Sequence, residues 1–313
     1  MNRKIKKVVV LFLALLLLSG CTSKEPVSNT EEKLNPGNLG GLAGVEEEVD
    51  MSLYDYTSSD IFEEEEWYEY IPMVELSGVK PDGSPFQLDP IEGCGILQGC
   101  CTDGTYAYMA LNDGKTVATT YIAKMNLSDW SIVAISEPLL VDHANSMAYN
   151  SKENRIYLTN MNSGPNNKVS IIDPETLTVI GDFEVDYMIG GVAYNETYDV
   201  YVVRFVEPKN DFSIVDTNFE ELAYFRGDVS GLGFQNIACD DEFIYVLDSG
   251  VKAQPGVEII KVYDWDGYFR GVFRLDYASE SEAMFSCNGK IYIGFYTGGG
   301  RIFEMKFDKS LMR

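Results

Sequence analysis

Histidine is almost missing from this 313-residue chain, where His143 stands alone. No CxxC pair and no Cys/His cluster occurs either, so there is no ligand set for a structural zinc site or a multi-histidine catalytic metal centre. Basic residues are scarce: 24 Lys and Arg stand against 49 Asp and Glu, a formal net charge of −25. Such a surface repels phosphate backbones, so nucleic acid is not an expected partner. Helix-length amphipathic patterns are lacking beyond residue 67. The apolar run at residues 8–18 is too short for a bilayer core, which needs roughly 20 apolar residues as a helix.

What precedes and follows that run gives it a different meaning. Arg3, Lys4, Lys6 and Lys7 lie before it, the layout of a secretory signal. Leu18-Ser19-Gly20-Cys21 then resembles the lipobox of bacterial lipoproteins. The resemblance implies cleavage before Cys21 and a diacylglyceryl group on its sulfur. The chain would then be held by lipid on the extracytoplasmic face of the bacterial envelope. Residues 1–20 are read as signal peptide, 21–66 as a lipidated acidic linker and 67–313 as the folded domain, expected to be monomeric. Removing the signal takes away four basic residues and leaves a formal charge of −29. The linker holds Pro26, Pro36, a Gly-rich patch at 37–44, Glu46-Glu47-Glu48 and four glutamates at 63–66. A flexible spacer of about 40 residues reaches roughly 35 Å.

The domain reads as all-β, with short β-branched and aromatic runs between turn residues. One strand recurs as 98–101, 146–149, 191–194, 236–239 and 284–287, and its last residues are Cys101, Tyr149, Tyr194, Cys239 and Cys287. After each comes a tight turn and a second strand, then a third and a fourth, which makes a β-propeller blade. The count is five four-stranded blades, with six as the alternative. Residues 85–89 (Pro-Phe-Gln-Leu-Asp) match 272–276 (Val-Phe-Arg-Leu-Asp), a fourth strand, so an N-terminal strand is expected to close the ring. Residues 155–160 and 169–180 resemble one repeat of the YVTN family of extracytoplasmic β-propellers, which implies fold and compartment but no activity. Glu280-Ser281-Glu282 with residues 302–305 is similar to the C-terminal pattern of helveticin-type class III bacteriocins.

Beyond Cys21 the five cysteines are an odd number, so one at least is unpaired within the chain. Cys94 with Cys100 is the expected disulfide, and Cys101, Cys239 and Cys287 are expected to pack between blades.

Ligands of propellers usually bind where the loops entering first strands and leaving second strands surround one mouth. That mouth should collect Gln98, Asp142, His143, Asn145, Gln235, Asn236, Glu280 and Glu282 from entering loops. From second-strand ends it should collect Asn112, Asp113, Asn160, Asn162, Arg204, Asp248 and Tyr296. Asp142 beside His143 could fix an imidazole tautomer, but no nucleophile accompanies them and no catalytic residue is assigned. Glu280 and Glu282, with Asp142 or Asp248, are the candidate ligands of calcium, although no EF-hand spacing supports it. The leading expectation is a non-enzymatic module binding an envelope glycan, peptide or protein at the mouth. The alternatives are a polysaccharide hydrolase or lyase using these carboxylates, and a scaffold that contacts an envelope complex through its blade sides.

Overall fold

The computed structural model describes Phe62 and residues 67–115, 118–161, 167–207, 210–250, 256–309 and 312. The signal peptide, Cys21, most of the linker and Asn162 lie outside the described residues. No helix among the described residues is long and apolar enough to cross a membrane.

A 3-10 turn at Trp67–Tyr70 leads to three short strands, β1 (Met73–Val74), β2 (Leu76–Gly78) and β3 (Phe86–Leu88). The first blade follows as β4 (Ile96–Thr102), β5 (Tyr106–Asn112), β6 (Thr120–Asn126) and β7 (Ile132–Ile135). The second is β8 (Ser146–Asn150), β9 (Arg155–Thr159), β10 (Lys168–Asp173) and β11 (Thr178–Glu184). The third is β12 (Met188–Asn195), β13 (Val200–Glu207), β14 (Asp211–Val215) and β15 (Glu221–Arg226). The fourth is β16 (Gly233–Cys239), β17 (Phe243–Ser249), β18 (Glu258–Asp264) and β19 (Phe269–Leu275). The fifth contributes β20 (Ser281–Cys287), β21 (Lys290–Phe295) and β22 (Gly300–Met305). The first strands β4, β8, β12, β16 and β20 neighbour one another in a closed circle, so the domain is a five-bladed β-propeller.

Burial follows position in the blade. Blades pack face to face, so middle strands such as β14 are buried on both faces and read as apolar runs, while β11 at the rim is largely exposed. Each of the four complete outer strands carries one bulged residue, Val133, Ile180, Leu222 or Arg270, at the equivalent place opposite its neighbour. Bulges twist an edge and blunt its tendency to pair with another chain.

The expected closure is present, in two pieces. β22 pairs with β2 through Leu76↔Met305 to Gly78↔Phe303, and with β3 through Phe86↔Ile302 to Leu88↔Gly300. Together they stand where the fifth blade's fourth strand would be. β1 adds a further strand, parallel to β19, at the edge of the fourth blade. Phe62 sits edge-on to Trp67 with ring centroids 4.8 Å apart, so ordered packing begins within the segment read as linker.

Two expectations are corrected. Cys94, Cys100, Cys101, Cys239 and Cys287 are all free thiols. Cys94 and Cys100 share an apolar cluster, but the Cys94 thiol donates to the Thr119 carbonyl at 3.3 Å while that of Cys100 engages the Met284 backbone. The repeat anchor also moves by one residue in the first and last blades. Cys239 is the last inner residue before the turn bond from Asp240 N to the Phe243 carbonyl. The matching residue is Thr102 in the first blade, where Asp103 N bonds to Tyr106, and Ser286 in the fifth, where Cys287 pairs with Lys290. The aligned set is therefore Thr102, Tyr149, Tyr194, Cys239 and Ser286.

The next position holds Asp103, Asn150, Asn195, Asp240 and Cys287. In the first four blades a side-chain oxygen there caps the turn, as Asp240 Oδ1 does for the amides of Glu242 and Phe243, both at 2.9 Å. The second oxygens of Asp103 and Asp240 accept the hydroxyls of Tyr108 and Tyr245 at 2.7 and 2.8 Å. Cys287 thus occupies the capping position while its sulfur still meets the first blade, 4.0 Å from the Gly104 carbonyl, and it is the only one of the five cysteines that is not buried.

Candidate functional site

Near the start of the inner strands β4, β12, β16 and β20 the register slips, and Gln98, Gly190, Gln235 and Glu282 fall at the slip. Asn145, just before β8, occupies the corresponding place. A bulge re-aims a side chain that a flat strand would send toward the neighbouring blade, and here four of these five residues converge at the axis. Gln98 Nε2 donates to Glu282 Oε2 at 3.2 Å, and Asn145 Nδ2 donates to the Gly190 carbonyl at 2.7 Å. Gln235 Nε2 donates to Glu280 Oε1 at 3.2 Å.

One residue further along lie Gly99, Ser146, Gly191, Asn236 and Ala283. Ser146 Oγ donates to Asn236 Oδ1 at 3.1 Å, and Asn236 Nδ2 donates to the Glu282 carbonyl at 3.0 Å. The small residues are required by proximity: a Cβ on Gly99 would stand 2.8 Å from the Ala144 carbonyl oxygen. The entry end of the axis is therefore a hydrogen-bonded plug rather than an open pore. Behind it lies a cavity of about 60 Å³ lined by Cys100, Cys101, Met147, Tyr149, Tyr194 and Cys239 among others.

Of the residues expected at the mouth, the structure brings Gln98, Asn145, Asn236 and Glu282 together in this plug, with Gln235 and Glu280 beside it. Tyr296 adjoins through its amide, which donates to the Glu280 carbonyl at 2.8 Å. His143 lies in the loop entering β8, where its amide bonds to the Met161 carbonyl and its own carbonyl accepts Asn112 Nδ2 at 2.9 Å. Burial pushes its imidazole below the usual range, against the pull of Asp142. Asp142 and Ala144 on either side adopt left-handed backbone, with φ of 58° and 56°.

Others face elsewhere. Asn160 accepts the Ser170 hydroxyl at 3.1 Å within its own blade. Arg204, 7% exposed, lies with its guanidinium carbon 4.0 Å from the centre of the Phe234 ring, between the third and fourth blades. Asp248, 1% exposed, holds fully buried Lys261 at 2.8 Å and accepts Ser230 Oγ at 2.8 Å. Asp113 pairs with Lys115 at 2.5 Å.

Sequence reasoning missed Glu258, the first residue of β18. It is fully buried, accepts the Ser249 hydroxyl at 2.7 Å and the Ser281 amide at 3.0 Å, and bonds the Ser281 hydroxyl as well. The signal was there in the repeat, because third strands also open on polar Thr120, Lys168 and Asp211. Burial pushes the Glu258 carboxyl up to about 7, outweighing those hydrogen bonds, and the charge of Glu280 adds to the rise. Burial likewise holds Glu282 well above the carboxylate range, helped by Glu280 and then Glu258, while its bond from Gln98 opposes. Among the described residues none of these three carboxyls makes an ion pair. Nor do any three His, Cys, Asp or Glu side chains among them stand close enough to hold a metal ion. Asp248, one of the candidate calcium ligands, is committed to Lys261. The assembled chemistry is thus a buried, hydrogen-bonded cluster of amides and carboxyls in which burial favours the protonated form of Glu258 and Glu282.

No protein-family model matches the chain, and no curated protein matches it. Among solved structures it is similar to the glutaminyl cyclase of Myxococcus xanthus, with a TM-score of 0.53 and 12% identity over 72% of this chain and 95% of that one. It is also similar to a tail fibre of a Staphylococcus aureus phage, with a TM-score of 0.50 and 14% identity. That match covers 74% of this chain and 52% of the fibre, so this chain spans about half of the fibre's length. At such identities the likeness shows fold alone, and the fold is that of a β-propeller.

Proposed function

We propose that this protein is an extracytoplasmic binding module, tethered through lipid on Cys21, that holds an envelope glycan, peptide or protein at the entry end of its propeller without transforming it. The observation that carries the reading is the converging set Gln98, Asn145, Gln235, Glu280 and Glu282, drawn from four blades and fixed by the bonds Gln98 to Glu282 and Gln235 to Glu280 and by that of Asn145 to the Gly190 carbonyl. Side chains held in place before binding lose little entropy when a ligand arrives, and alternating amides and carboxyls match hydroxyl and amide groups.

A second reading rests on one specific observation. A carboxyl that keeps its proton toward neutral pH can serve as general acid, and burial raises both Glu282 and Glu258 in that direction. A polysaccharide hydrolase or lyase is therefore the competing function.

Binding and product formation on an array of envelope and plant glycans, with and without calcium, separate the two. Wild type would be compared with His143→Ala and Glu282→Gln. The module reading expects binding without product, lost in Glu282→Gln. Product release that Glu282→Gln abolishes while binding survives would overturn it in favour of the enzyme. Binding that appears only with calcium would mean that ligand and carboxyls complete an ion site together.

A further inference from the structure

The outer strands of the five blades meet solvent in different ways. On the fourth blade β1 extends the sheet, and Trp67, Ile71 and Phe62 cover Val272 and Phe269. The fifth is edged by β2 and β3. The third presents Glu221 and Arg226 along β15. The first two have no covering segment among the described residues, and the exposed charges of β11, Asp182 and Glu184, follow its apolar start. Ile132, Val133 and Ile135 of β7, Leu140 just after it, and Val179 and Ile180 of β11 are exposed, Val133 at 53%, Ile180 at 49% and Leu140 at 84%. Exposed apolar groups of this kind on soluble domains mark contact sites.

We infer that the rim of the first and second blades docks a partner protein through an extended, aliphatic segment flanked by basic residues. Charge complementarity selects this occupant. Exposed Asp129 and Glu137 bracket β7, and exposed Asp182 and Glu184 stand on β11, where Lys168 pairs with Asp182 at 3.0 Å. A second copy of the chain brought up by a two-fold axis would set these acids against one another, and an anionic membrane would be repelled likewise. The mode of contact is shown on the fourth blade, where an apolar segment of the chain crosses the rim and seats Trp67 over Val272. The bulges at Val133 and Ile180 interrupt the ladder, as Arg270 does on β19 where β1 adds only two residue pairs, so affinity comes mainly from side-chain packing with basic flanks at the acidic border.

The test uses the full chain carrying Cys21→Ser, and as probe a peptide of alternating valine and threonine with paired lysines at each end. The expected result is saturable binding that weakens with salt, falls about tenfold or more in Val133→Asp and in Ile180→Asp, and is unchanged in Glu282→Gln. Circular dichroism confirms that the rim variants fold. Absence of binding, or binding indifferent to both rim variants, overturns the inference. So does wild-type dimerisation that Val133→Asp abolishes, which assigns the rim to a second copy. Rim-dependent sedimentation with phosphatidylglycerol vesicles overturns it too, assigning the rim to lipid.

Discussion

At the entry end of the axis five strands bring together amides and carboxyls, whereas at the exit end the same five strands bring together sulfur, aromatic rings and turn caps. The difference lies in the backbone. At entry the register slips in four of the five strands, at Gln98, Gly190, Gln235 and Glu282. At exit the ladder runs flat into capped turns, and the side chains serve packing between blades. One element thus supplies a polar cluster at one end and a set of capped turns at the other.

The sharpest test of that division is Gly99→Ala, whose added Cβ meets backbone that cannot step aside. A loss of about 3 kcal/mol in urea unfolding is expected. Gly104→Ala at an exit turn, where φ is 86° and nothing obstructs a Cβ, should cost only about 1 kcal/mol. Equal losses would mean that the two ends are equally close-packed.

Glu258 should impose a pH dependence that belongs to the entry end. Its carboxyl titrates at about 7 when folded against 4.5 as a free group, so the folded state holds a proton that the unfolded state releases. Its contribution is complete below about pH 4.5, is lost as pH rises toward 7, and is level above that. The fall amounts to at most about 3 kcal/mol, and Glu282 acts in the same direction. Urea midpoints from pH 4 to 8 should decline in wild type and decline distinctly less in Glu258→Gln. An unchanged slope in the variant would remove Glu258 from the account.

At the exit end, Tyr245→Phe removes one bond to Asp240 and should cost about 1 kcal/mol, with ligand binding at the entry end untouched. A change in affinity would couple the two ends. The smallest effect is one of rate: among Cys94, Cys100, Cys101, Cys239 and Cys287, a disulfide reagent should label Cys287 first, since the other four are buried. Mass spectrometry of partially labelled protein reads the order.

Strand runs, blade number and the N-terminal closure were legible because each leaves a periodic trace, such as the match between residues 85–89 and 272–276. The register of the first and last blades was not. Cysteines at 101 and 287 suggested an alignment with Cys239, while hairpin pairing places Thr102 and Ser286 there. Gln98, Asn145, Asn236 and Glu282 were assigned to one end from loop position alone, yet their mutual bonds depend on bulges that no residue pattern announces. Asp248 looked like a mouth carboxylate because it ends a second strand, but its partner Lys261 lies on the next strand, a pairing that only the ladder register reveals.

The divided closure of the fifth blade also sets a timetable. Leu88 and Gly300 face each other across more than 200 intervening residues, so β2 and β3 leave the ribosome long before the strand they must join. Until β22 arrives, that early segment cannot take its place, and the fifth blade remains an open edge. Completing the fifth blade thus requires the first strands made to meet the last. A chain halted before residue 300 would hold four blades and two strands of the fifth, with nothing for β2 and β3 to pair with.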